Sequence, residues 1–277
     1  GGFVPAKFGG TKTFCYELSK EFIRKGHEVT VFTTDADIGS RLTDVHGVKD
    51  IDGIKVHYFR NLNNLIAYKY KMMLPLGMVL AARKEIGSCD IIHLHEFRSF
   101  QNIVLHHYAS RYGIPYVLDA HGSTVRKVAG KRGIKWLLRW LFDIAFGYRT
   151  LRDASKVIAE TEVGVNEYRE FGINHEEIVL ISPPFRLEEF SQLPTPGRFR
   201  SNYGIKDKQI LLFLGRIHWI KGLAFLMESF HELTKTRSEA ILVIVGPDDG
   251  YKPTLAKLVD DLDLSDKVLF TGFLGGE

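Results

Sequence analysis

The sequence predicts an α/β protein made of two successive Rossmann-like units, and three observations carry that expectation. Strand-like apolar runs alternate with helical patterns along the whole chain. Most of the runs are short and apolar, as strands of a parallel sheet covered on both faces must be. A polar stretch rich in proline and glycine, residues 191–198, then interrupts the alternation before it restarts. The reading is therefore a first unit over 1–190, a hinge over 191–198, and a second, incomplete unit over 199–277. A length of 277 residues suits two such units.

The elements follow in order. Thr11 is a plausible N-cap for a helix carrying Phe14, Leu18 and Phe22 at helical spacing, with Gly26 as its stop. Strands are expected at His27–Thr34, Ile54–Phe59, Asp90–His95, Tyr116–Ala120, Lys156–Ala159 and Ile178–Ile181. After the hinge, strand Ile210–Leu214 leads into Gly215 and Arg216. A helix with Leu223, Leu226, Met227, Phe230 and Leu233 on one face comes next. Strand Ile241–Val245, a helix near 251–262 and strand Val268–Phe270 complete the pattern. The chain opens on a glycine-rich loop and closes on Gly275-Gly276-Glu277 just after a strand, so both ends read as cut, with a first strand expected before residue 1.

Composition narrows the function. Hydrophobic residues make up 45% and charged residues 25%, an ordinary globular balance. The net charge of +4 suits an anionic substrate or a membrane surface, but no nucleic-acid-binding pattern accompanies it. Cys15 and Cys89 are too few for a disulfide framework, which fits a reducing compartment and a cytoplasmic location. No run reaches the roughly 18 apolar residues that a spanning helix needs.

In open α/β sheets, ligands collect at the carboxyl ends of strands, and the chemistry-bearing residues sit there. Arg216 and Lys221 follow a strand on a loop that opens a helix. A guanidinium fork and an ammonium beside a helix N-terminus suit a diphosphate, although two solvated surface cations are an equal reading. Gly9-Gly10 opens the first helix, where bare amides could meet a phosphate; a flexible turn is the plainer alternative. His121, at the end of Tyr116–Ala120, could hydrogen-bond a sugar hydroxyl or serve structure alone. His93 and His95 are read as facing opposite sides of their strand, so a shared metal is not expected. His106 and His107, adjacent in a helix, make a poor ligand pair. Asp35-Ala36-Asp37 imitates a D-x-D metal motif but is read as a loop. Residues 127–140 hold Lys127, Lys131, Arg132, Lys135, Arg139, Trp136 and Trp140, and could rest on an anionic membrane. The preferred reading there is a helix with Trp136, Leu137, Trp140, Leu141 and Ile144 in the core.

Taken together, these stretches resemble the family-4 retaining glycosyltransferases of the GT-B fold. The resemblance is carried by Gly9-Gly10, Lys25 to Val31, Asp90 to His95, Ala120-His121-Gly122, Leu214-Gly215-Arg216 with Lys221-Gly222, Ile244-Val245-Gly246, and Val268 to Phe273. It implies two Rossmann-like domains facing a cleft, an acceptor side first and a donor side second. It also implies a nucleoside-diphosphate sugar as donor, a saccharide or lipid-linked acceptor, and neither metal nor organic cofactor. Arg216 and Lys221 would grip the diphosphate and Gly9 or Gly10 amides would close on it. His121 would touch the donor sugar, and main chain near Gly246 and Phe273 would border the base. Ser182-Pro183-Pro184 departs from the family's Asn-Gly-Val, and its paired acidic donor residues would fall after position 277. On that pattern the chain alone is expected to transfer feebly or not at all. A GT-B sugar-nucleotide epimerase and a non-catalytic sugar-nucleotide-binding protein remain the alternatives.

Overall fold

The computed structural model describes residues 3, 10–37, 40–42, 45–64, 67, 73–124, 134–183, 191, 193, 195–205 and 207–275. It divides into two compact units, Gly1–Arg186 and Leu187–Glu277.

The first unit opens with α1 (Gly10–Arg24), followed by β1 (Thr30–Thr34), the two-residue strands β2 (Ala36–Asp37) and β3 (Ser40–Arg41), β4 (Gly47–Ile51) and β5 (Ile54–Phe59). Helix α1 begins at Gly10, so Thr11 lies within its first turn and does not cap it. Gly26, at φ 87°, takes the left-handed turn that ends it. Strands β1 and β5 are parallel, but β4 returns antiparallel against β5 through the Asp52-Gly53 turn. Both turn residues have positive φ, the signature of a two-residue hairpin. The sequence reading, tuned to buried apolar runs, missed β4 because four of its five residues are exposed.

The rest of the unit is a second sheet in the order β6 (Ile92–His95), β7 (Tyr116–Asp119), β8 (Lys156–Ala159), β9 (Ile178–Leu180), all parallel. Helices α2 (Met78–Glu85), α3 (Phe100–Tyr112), α4 (Ile134–Phe142), α5 (Tyr148–Arg152) and α6 (Glu162–Glu170) surround it, with a π turn, Asp143–Gly147, joining α4 to α5. Among the described residues no strand pairs β1 with β6. Leu94, Phe97, Leu118, Leu151, Val157 and Tyr168 centre the core between β6–β8 and the helices. One expectation fails here. Trp136, Leu137, Trp140, Leu141 and Ile144 are exposed, and α4 buries none of its described side chains.

The second unit holds α7 (Arg198–Asn202), β10 (Gln209–Leu214), α8 (Leu223–Thr234), β11 (Ala240–Val245), α9 (Lys252–Asp261) and β12 (Val268–Gly272). The sheet is parallel with β11 in the centre. Only β11 is buried along its whole length, because only it has a strand on each side. Strand β10 instead leaves Leu212 and Leu214 exposed, so the expected cover on both faces does not extend to this edge. Leu223, Met227 and Phe230 of α8 are buried against β11, as their spacing predicts.

Candidate functional site

In the first unit the ends of β6, β7 and β8 bring together His95, His121 and Glu160. The backbone turns sharply at two of these ends. Glu96 has φ 65° and His121 has φ 46°, both in the left-handed region that side chains other than glycine rarely occupy. Strained non-glycine residues at adjacent strand ends are a mark of function. The amide of His121 donates to Asp119 Oδ1 at 3.1 Å, which holds the turn.

The ring of His121 is fully engaged. Its Nδ1 lies 2.7 Å from Glu160 Oε1, and a carboxylate so close assigns the ring proton to Nδ1. Nε2 shares a second hydrogen bond with His95 Nδ1 at 3.0 Å. The two rings are stacked, 5.2 Å apart and 6° from parallel, and the Phe14 ring of α1 meets both edge-on. A sugar hydroxyl would bond either ring nitrogen by displacing Glu160 or His95.

His93 completes the row. Its ring lies 4.1 Å from that of His95. Strand side chains alternate with period two, so residues two apart share a face; the expected opposite facing was wrong. Burial, with its histidine neighbours, pushes His95 down to about 2, and burial with His121 pushes His93 down to about 4. Both are neutral at neutral pH. Burial raises Asp119, whose Oδ2 has no hydrogen-bond partner among the described residues. Tyr168 ties the base of the site together: its hydroxyl accepts from the Ala120 amide at 3.1 Å and donates to the Ile158 carbonyl at 3.0 Å.

Two groupings here have ligand atoms close enough to hold a cation, Cys15 with His95 and His121, and Asp119 with His121 and Glu160. Burial lifts the Cys15 thiol to about 12, the behaviour of a packed rather than a reactive cysteine. Asp35, read as a loop acid, is fully buried; it pairs with Arg41 at 3.2 Å and accepts the Asn61 amide at 2.8 Å, so it supports structure. The side chain of Asp37 lies outside the described residues. His106 likewise turns outward from the site, to Asp153 at 3.0 Å. Gly10 opens α1, where the first amides of a helix have no intrahelical partner. Gly9 lies outside the described residues.

In the second unit the strand ends form a ladder of close contacts. The Gly215 amide donates to the Val245 carbonyl and the Gly246 amide to the Gly272 carbonyl, each at 2.9 Å. A Cβ on Gly246 would stand 1.9 Å from the Gly215 carbonyl oxygen, so only glycine fits. Arg216 leaves this ladder with its side chain 48% exposed and Nη1 2.5 Å from Asp249 Oδ2. Lys221 ends a single 3₁₀ turn, Trp219–Lys221, and Gly222 at φ 69° passes the chain into α8. The sequence reading did not single out Asp249 or Asp248. Asp248 Oδ1 accepts from the amides of Gly250, Tyr251 and Lys252 at 3.0 Å each, capping α9. An aspartate pair before a helix was a signal that could have been read. Phe273 is exposed just beyond β12.

The chain is similar to known proteins along its whole length. An uncharacterized glycosyltransferase of Methanocaldococcus jannaschii is 24% identical over 99% of this chain and 68% of its own length. A D-inositol 3-phosphate glycosyltransferase of Kineococcus radiotolerans is 27% identical over 94% of this chain and 62% of its own. Across such relatives the chain spans from about half to about two thirds of their length. The crystal structure of Anabaena HepE in complex with UDP superposes with a TM-score of 0.69 at 16% identity, covering 99% of this chain and 68% of HepE, and shares the GT-B fold. The model "Glycosyl transferases group 1" matches residues 197–277. The model "Glycosyltransferase Family 4" matches residues 8–189, well over half of the sequence, and the chain belongs to that family.

Proposed function

We propose that this chain supplies the acceptor-side unit and part of the donor-binding unit of a retaining hexosyltransferase. The enzyme would move a sugar from a nucleoside-diphosphate sugar to a saccharide or lipid-linked acceptor. The observation that carries the reading is the turn from Gly215 to Gly222. It sets an exposed Arg216 and Lys221 between a tight glycine ladder and the start of α8. Fixed cations and a helix N-terminus at a strand end are what a leaving diphosphate requires. The HepE structures solved with UDP and with UDP-glucose support a nucleotide-sugar donor.

In this reading Arg216 and Lys221 neutralise charge on the departing nucleoside diphosphate as an oxocarbenium-like carbon forms. The acceptor hydroxyl then attacks the same face. By the family resemblance, Gly9 and Gly10 would contribute amides to donor binding, and main chain at Gly246 and Phe273 would border the base. His121, held by Glu160 and His95 at the end of β7, contacts the donor sugar near the reacting carbon. No metal or organic cofactor enters the step. The reading includes peripheral contact with a membrane through 127–140. Two free thiols fit a reducing compartment, so action in the cytoplasm, at the inner face of the membrane, belongs to the same proposal.

Incubation with labelled UDP-sugars and a saccharide or lipid acceptor tests it. New glycoside with free nucleoside diphosphate is the expected result for the enzyme that contains this chain, with little or none from residues 1–277 alone, and it is lost in Arg216→Ala. An altered free sugar nucleotide would support the epimerase instead, and nucleotide binding without turnover the non-catalytic reading.

A further inference from the structure

We infer that α4 and the π turn after it are a docking surface for an anionic lipid bilayer. The inference rests on the peripheral contact in the proposed function and says which side chains would make it. Ile134, Leu137, Leu138 and Leu141 recur at i, i+3, i+4 and i+7, the spacing of one helix face. All four are exposed, Ile134 by 68% and Leu138 by 54%, and Ile144 and Phe146 continue the exposed apolar surface through the π turn. Trp136 and Trp140 flank it with stacked rings, 6.4 Å apart. Apolar surface gathered in this way on one element marks a contact site, unlike scattered exposed leucines.

Among the described residues the element is anchored at its C-terminal end. Arg98 holds both carboxylate oxygens of Asp143, at 2.8 and 2.9 Å, and Asp143 is fully buried. Gly147 packs so closely on Phe97 that a Cβ there would stand 2.8 Å from its ring. Phe142 also meets the Phe97 ring edge-on, and among the described residues the leucines of the helix remain exposed.

Charge selects the occupant. Residues 120–142 contain six lysines and arginines and no acid. Residues 125–133 lie outside the described part of the structure, but the described helix shows the same bias. Arg139 and Arg149 are exposed, while Asp143, the acid that opens the π turn after the helix, is buried and paired with Arg98. A second copy docking symmetrically on this face would set like charges against each other, which is unfavourable. An anionic bilayer meets both properties: leucines and the indole rings enter the headgroup boundary and the arginines meet lipid phosphates.

Vesicle flotation of the whole chain tests the inference. Vesicles of equal parts phosphatidylcholine and phosphatidylglycerol should carry the chain upward, whereas pure phosphatidylcholine should not, and added salt should release it. Leu138→Glu should weaken partitioning by about tenfold or more, since a carboxylate would replace an inserted leucine. Arg139→Gln should weaken it about fivefold, the change expected for one cation lost near an anionic surface. Circular dichroism shows whether each variant is folded, and calorimetry with UDP shows whether it still binds nucleotide. Equal binding to neutral and anionic vesicles, or no flotation of folded chain, would overturn the inference. So would concentration-dependent dimerisation that Leu138→Glu abolishes without any vesicle binding. Lost UDP binding with flotation intact would instead count against the transferase reading alone.

Discussion

The histidine row at the end of β6 should make the first unit acid-sensitive, by an amount the structure sets. His93 and His95 are neutral in the folded chain because burial holds them down to about 4 and about 2. Unfolded, each titrates near 6.5. As pH falls through 6.5 the unfolded state takes up protons that the folded state refuses, so stability drops, and it keeps dropping toward the folded values. Between pH 7 and pH 5 each histidine therefore removes up to about 2 kcal/mol, or about 4 kcal/mol for the pair. His95→Asn isolates one of them, because the Asn amide can still hydrogen-bond His121 Nε2 from the position of Nδ1. Urea unfolding followed by circular dichroism at both pH values gives the comparison. The variant should lose about 2 kcal/mol less than the parent chain over that interval. An identical loss in both would refute the argument that His95 is buried and neutral.

Further outcomes follow from other contacts. Asp249 competes with an incoming diphosphate for Arg216. Asp249→Asn should thus tighten UDP binding up to about fivefold by calorimetry, the worth of roughly 1 kcal/mol for a partly exposed pair, with little change in stability; weaker binding would mean that Asp249 orients Arg216 instead. Gly246→Ala forces a methyl into the Gly215 carbonyl, so the melting transition of the second unit should fall by the equivalent of about 2 kcal/mol or more; an unchanged transition would contradict the close approach. Tyr168→Phe leaves the Ala120 amide and the Ile158 carbonyl without the hydroxyl, and denaturant titration should show a loss of about 1–3 kcal/mol.

What the sequence determined by itself is the set of elements whose signal is local. The apolar runs of β5, β8 and β11 and the α8 stripe of Leu223, Met227 and Phe230 are periodic within a few residues, so burial follows from pattern. Gly215, Arg216 and Lys221 were also legible, because strand, glycine and cation succeed one another in the chain. Tertiary structure alone decided the rest. The period of α4 showed an apolar face but not whether anything covers it, which depends on packing partners distant in sequence. Asp249 meets Arg216 across 33 positions, and Glu160 meets His121 across 39, so neither pairing leaves a mark in local spacing. The positive φ of Glu96 and His121 is likewise imposed where neighbouring parallel strands end together. That register, and not any motif, brings partners to both ring nitrogens of His121 at the strand end.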